Sequence, residues 1–220
     1  MEKSSHGSPR VNFVILLVIS FVLFNLSFVV DQAARWSNHL QGAANGVTHI
    51  MVYGVMWFLF ALPWALVVFG IYRWRRWNRF RTPVVLLPAF LALGSVLVSL
   101  VVSPPTPHRR FEAFTPSTLP KNVENLRANY FGGGFTDYTD TYFFETSSDE
   151  IERIISDLDL EPRNVYSNNY SPIEQFEGWP NFMDWKGKEF YSGWDEDQHW
   201  FYYLLREESD TKVYIVVGCI

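Results

Sequence analysis

Three membrane-spanning helices followed by a small α+β domain make up the fold class that the sequence predicts. Three observations carry this reading. The first 103 residues hold three long runs without Asp, Glu, Lys or Arg. Charge changes sign at residue 104, from a net +6 over 1–103 to a net −11 over 104–220. The acidic half alternates aromatic, strand-like stretches with one capped, amphipathic helical stretch. A mean hydropathy of −0.01 is the average of these unlike halves, and a single soluble globule is excluded. One cysteine, Cys219, rules out an intrachain disulfide and any multi-cysteine zinc site.

The uncharged runs cover residues 11–30, 49–72 and 83–103. A hydrocarbon layer about 30 Å thick needs roughly 20 apolar helical residues, so each run is long enough to cross. Pro63 and Pro88 lie inside the second and third runs, where neighbouring helices can satisfy the carbonyl that each proline frees. The first run is longer than the apolar core of a signal peptide and lacks a clean small-x-small cleavage site, so it reads as a retained span. No span carries an ionisable residue within it of the kind that ion-coupled transport uses, and His49, at the start of the second run, reads as interfacial. Asn25 is expected to hydrogen-bond to another helix. Ser95, Ser99 and Ser103 share one helical face, as a close-packing stripe would.

Cations set the expected orientation. The N-terminal arm and the loop after the second run carry seven Lys/Arg, against three in the first loop and the flank after the third run. Short-loop cations stay in the cytoplasm, so the N-terminus is expected inside and the C-terminal half outside the plasma membrane. The loop residues Arg73, Trp74, Arg75, Arg76, Trp77, Arg79 and Arg81 alternate cations with aromatics. That pattern can hold single-stranded nucleic acid. Between two spans it reads instead as an interface anchor on anionic headgroups, with no nucleic-acid partner.

Residues 104–120 read as a Pro-rich, extended linker and 121–220 as the acidic extracytoplasmic domain. Asn122–Phe131 and Tyr138–Glu145 are expected strands. Ser147-Ser148-Asp149-Glu150 fits a capping box, and Ile151, Ile154, Ile155 and Leu158 form one apolar stripe behind it. Residues 162–194 read as irregular. His199–Leu205 and Lys212–Cys219 form a closing hairpin, apolar on nearly every residue, so both of its faces need cover. Taken together, Leu119-Pro120, an Asn a few residues on, the aromatic strand, the capped helix and the Tyr-rich hairpin resemble a pattern of uncharacterised bacterial membrane-anchored or exported proteins. That resemblance implies no activity and assigns no residue a role.

Chemistry is sparse. If extended, Asp195, Asp197 and His199 would point the same way and could hold a divalent metal. The plainer reading is an acidic turn entering a strand, with no metal, no cofactor and no catalytic residue assigned. Asp137 and Asp140 could pair as carboxylates, without a partner segment for acid–base work. Gly132–Gly134 lacks the Lys-Ser/Thr of a phosphate loop. The segment 176–194 carries Trp179, Phe182, Trp185, Tyr191 and Trp194, which supply either core or a partner-binding surface. The functional expectation is a non-catalytic membrane protein presenting an acidic interaction domain, with a protein partner or self-association through the spans. The alternatives are a membrane-tethered metal-dependent enzyme and an accessory subunit of a transport or secretion complex.

Overall fold

The computed structural model describes residues 12–75, 81–132, 138–163, 174–195, 199–207 and 211–219. The chain divides into two compact units. One comprises residues 1–33 and 40–103, the other residues 34–39 and 104–220.

The first unit is helical. Helices α1 (Phe13–Arg35), α3 (Ile50–Arg75) and α4 (Arg81–Val102) are long and apolar enough to cross a membrane. They match the three uncharged runs. A further helix, α2 (His39–Thr48), lies in the first interspan segment and was not expected. It is short and mixed in polarity. Gly46 brings it close to α1, because a β-carbon there would fall 2.8 Å from the Val29 backbone. Much of the outer apolar surface of the long helices is open, including Val14, Phe60, Leu91 and Val98.

The seam between these helices is built on small residues. Ala61, Ala65 and Ala89 are fully buried and pack with Leu16, Phe24, Trp57 and Val85. Small side chains let helices approach closely where no aqueous hydrophobic effect drives association. The expected serine stripe is not at this seam. Ser95, Ser99 and Ser103 are exposed, and the Ser95 hydroxyl donates to the Ala92 carbonyl of its own helix. Asn25 also departs from expectation. Its Nδ2 donates to the Phe21 carbonyl one turn back, and its buried Oδ1 has no partner among the described residues. Ser20 makes the interhelical bond instead, accepting from Trp57 Nε1 at 3.1 Å. Pro88 leaves the Val84 carbonyl without its helical N–H. Trp64 Nε1 donates to that oxygen at 2.8 Å, so a neighbouring helix supplies the missing donor.

The second unit is a six-stranded antiparallel sheet in the order β1-β2-β6-β5-β4-β3 with helices packed on it. The strands are β1 (Glu124–Gly132), β2 (Tyr138–Glu145), β3 (Glu161–Pro162), β4 (Lys188–Asp195), β5 (Trp200–Glu207) and β6 (Lys212–Cys219). Helix α5 (Pro107–Phe114) occupies the segment expected as an extended linker. Pro107 sits at its first turn, where the missing N–H costs nothing. Helix α6 (Ser148–Asp157) follows β2.

Alternation sorts the central strands onto two faces. Tyr142 and Phe144 of β2, Tyr202 and Leu204 of β5, and Val213, Ile215 and Val217 of β6 face α6 and Phe111 of α5. Ile151, Ile154, Ile155 and Leu158 supply the helix side of that core, as their spacing predicts. Phe143, Leu205, Tyr214 and Val216 face the other way and are covered by Phe182 and Trp185, with Trp179 against them. Both faces of β2 and β6 are therefore dry, which is why these strands read as nearly continuous apolar runs.

Two local expectations fail. Ser147 is the N-cap of α6 but makes no side-chain cap hydrogen bond. Glu150, expected to reach back to it, accepts instead from Arg153 Nε at 2.9 Å, because an i,i+3 cation offers a charge-assisted bond. Strand β4 lies in the stretch expected to be irregular. Its Gly193 reads as a breaker but serves close approach. A β-carbon there would meet Leu160 Cδ2 at 2.7 Å and the Leu158 carbonyl at 3.0 Å.

Candidate functional site

The most concentrated polar chemistry in the second unit is buried. Arg110 of α5 donates through Nε to Asp140 Oδ2 at 2.9 Å and through Nη2 to Oδ1 at 2.6 Å. Both side chains are nearly removed from solvent. The Tyr142 hydroxyl donates to Asp140 Oδ2 at 3.1 Å, and Arg110 Nη1 reaches the Arg35 carbonyl at 3.3 Å. The guanidinium also lies over the Tyr130 ring, 4.3 Å from its centroid, and near Phe114. Tyr130 keeps a buried hydroxyl that has no hydrogen-bond partner among the described residues.

Burial pushes the Asp140 carboxyl above its ordinary value, against the pull of Arg110 and Tyr142, which both favour the anion. Burial opposes the Arg110 cation, but the bonds and charge of Asp140 outweigh it and hold the cation above its usual range. Burial and the neighbouring Asp140 raise Tyr130 and Tyr142 as well. A bidentate pair enclosed by rings fastens α5 to β2, the strand beside the edge strand β1.

The same cluster holds the segment Ala34–His39. Ser37 N–H donates to the Tyr130 carbonyl at 3.2 Å, and the Tyr130 N–H donates back to the Ser37 hydroxyl at 2.8 Å. Trp36 packs on Phe131 with centroids 4.7 Å apart. Sequence reasoning noticed Asp140 only as a partner for Asp137, which lies outside the described residues, and noticed Arg110 only as a topological cation. The available signal was Asp140, a carboxylate interior to the aromatic stretch that ends at Glu145. An ion in a strand buried on both faces requires a counter-ion.

The proposed metal triad is not assembled as an extended strand. Asp195 ends β4, while His199 sits in a turn with φ +58° just before β5. Asp197 lies outside the described residues. The chain reverses between Asp195 and Trp200, which pair across the hairpin, so the alternation argument does not apply. Among the described residues no three His, Cys, Asp or Glu side chains gather as metal ligands. Asp195 does line a cavity of about 240 Å³ with Phe114, Trp200 and Tyr202. A larger groove of about 600 Å³ runs along Leu119, Asn122, Ser147 and Arg153. Of its two cations, Lys121 and Arg153, Arg153 is already committed, since it donates to Glu150, Asp157, Ser117 and the Thr118 carbonyl.

The aromatic segment divides between core and surface. Trp185 and Phe182 are buried against Tyr214, and Trp179 stacks on the same ring. Tyr191 is half-buried and bonds Glu189 and Arg206. Trp194 is 51% exposed. Of the interface loop, Arg73, Trp74 and Arg75 are exposed at the end of α3, with Arg75 over the Trp74 ring, and Arg81 begins α4. Arg76, Trp77 and Arg79 lie outside the described residues. No protein-family model, curated protein or solved structure matches the chain.

Proposed function

We propose that this protein is a three-span anchor that presents an acidic α+β domain outside the plasma membrane, where the domain contacts a protein or envelope component without catalysing a reaction. The observation that carries the reading is the division of the chain. One unit is built on three apolar helices with open apolar flanks, and the other packs its own two-faced core. Open apolar flanks of that extent need lipid. Three crossings put the segment after α1 and the chain after α4 on one side. The grouping of Ala34–His39 with residues 104–220 supports that parity. The net charge of −11 on the C-terminal half favours a basic partner and disfavours nucleic acid.

The test is thiol labelling of the full-length protein in cells with Cys219 replaced by serine. Lys186→Cys should react with a membrane-impermeant maleimide on intact cells. Arg75→Cys should react only after permeabilisation. The reverse pattern would place the domain in the cytoplasm and end the reading.

A further inference from the structure

The cavity of about 240 Å³ beside Asp195 lies wholly within the acidic unit, and its lining has one sign of charge. It is smaller than the pockets of roughly 300 Å³ and more that take drug-sized ligands, so it suits a small head group. One wall is the last turn of α5, Ala113 and Phe114, with the C-cap Thr115. The sheet supplies Asp195 of β4 with Trp200 and Tyr202 of β5. Asp195 and Trp200 are cross-strand partners, and Tyr202 lies two residues further along β5. All three side chains therefore stand on the sheet face that packs against Phe111 and α6.

Three features of this lining select a cation. Asp195 brings a carboxylate, and none of the described residues around the cavity is Lys, Arg or His. The C-terminal turn of a helix is the negative end of its dipole. Phe114, Trp200 and Tyr202 bring aromatic rings, whose faces attract cations. Tyr202 registers the negative field: burial raises its phenol above the ordinary value, and the charge of Asp195 raises it further. Tyr202 is 5% exposed, yet its hydroxyl has no hydrogen-bond partner among the described residues. Buried hydroxyls are seldom left so, and this side chain borders the cavity.

The walls hold their places through the fold itself. Phe114 stacks on Trp200 with centroids 5.6 Å apart. The Thr115 hydroxyl donates to the Phe111 carbonyl at 2.7 Å and accepts from the Ser117 N–H at 3.3 Å, so its own turn uses it. Arg110, with Cζ 5.4 Å from the Phe114 centroid, is neutralised by Asp140. A guest therefore meets ring surface, one phenol oxygen and the charge of Asp195. A calcium ion would want about six to eight oxygens. A primary ammonium has three N–H donors and a guanidinium five, and each needs an acceptor once out of water. A quaternary ammonium has none, and its charge is received by rings.

We propose that the cavity between α5 and the β4–β5 hairpin binds a quaternary ammonium head group, held by the rings of Phe114, Trp200 and Tyr202 and the charge of Asp195. The site goes beyond the anchor reading and is independent of it, because all its residues lie in one unit and no sidedness enters.

The test is calorimetric titration of the full-length protein in maltoside detergent, which carries no choline. Choline is the probe. Dimethylbutanol, in which carbon replaces the nitrogen, separates charge from shape, and ethanolamine separates the methylated from the primary ammonium. Choline should bind at least about tenfold more tightly than either. Asp195→Asn and Trp200→Leu should each weaken choline about tenfold with the circular dichroism spectrum unchanged. Asp195→Asn is nearly isosteric and lies at a strand end, so it reports on charge even where Trp200→Leu does not fold. Equal binding of choline and dimethylbutanol overturns the proposal, as does tighter binding of ethanolamine. So does a choline dissociation constant above about 10 mM, or an Asp195→Asn protein that binds choline as the wild type does. Glycerophosphocholine, the soluble headgroup of a choline lipid, tells the source. Affinity equal to that of choline assigns a lipid headgroup, and affinity about tenfold weaker assigns the free cation; both results support the site.

Discussion

Asp140 carries the buried ion pair of the second unit. Its two bonds to Arg110 cross from a helix to a strand, and Arg110 in turn reaches the carbonyl of Arg35. Asp140→Ala would leave a guanidinium buried among rings with no counter-ion, at a cost of about 3–5 kcal/mol. Asp157→Ala removes a partly exposed i,i+4 partner of Arg153 and should cost less than about 1 kcal/mol. Urea unfolding of the two variants in detergent measures the contrast, and equal losses would show that the buried pair holds nothing. The tyrosines set the alkaline limit. Burial pushes Tyr214 up to about 12 and raises Tyr130 and Tyr142 as well. Unfolded tyrosine ionises near 10 or so, so the unfolded chain loses its protons first. The stability from these neutral phenols is whole below pH ~10, and the share of Tyr214 is lost as pH rises through about 12. Alkaline titration followed by phenolate absorbance should show some tyrosines silent until the fold opens. Ionisation of all eleven together in the folded protein would contradict this.

At the scale of elements, the covering segment 176–190 and strand β4 carry different weights. Trp185 is 9% exposed and closes the core over Tyr214, so Trp185→Ala should cost about 3–5 kcal/mol through lost burial and the cavity left behind. Trp194→Ala, on the open edge, should stay within about 0.5 kcal/mol. Matching urea midpoints for the two variants would mean that the segment is not core. The long helices, α6 and the closing hairpin were legible because each carries a strong period: unbroken apolar runs, an i, i+3, i+4, i+7 stripe, and strands dry on both faces. Strand β4 was hidden by Gly187 and Gly193. These read as breakers, although Gly193 exists to let Leu158 and Leu160 close on the strand. Helix α5 was hidden by Pro104, Pro105 and Pro107, since a proline at the first turn of a helix looks the same in sequence as one in a linker. The need for a counter-ion to Asp140 was legible, but its identity as Arg110 was not, because the two lie thirty residues apart and meet only through the fold.

For the whole molecule, a unit built on three long apolar helices and an acidic α+β unit with its own two-faced core share one chain. The central claim is sidedness, since the cation bias and the parity of three spans both require the arginine-rich loop and the C-terminal half to lie on opposite sides. The most direct measurement is a pair of fusions to a reporter enzyme that is active only outside the cytoplasm. The fusion after Ile220 should be active and the fusion after Arg79 inactive. Activity after Arg79 with none after Ile220 would contradict the account.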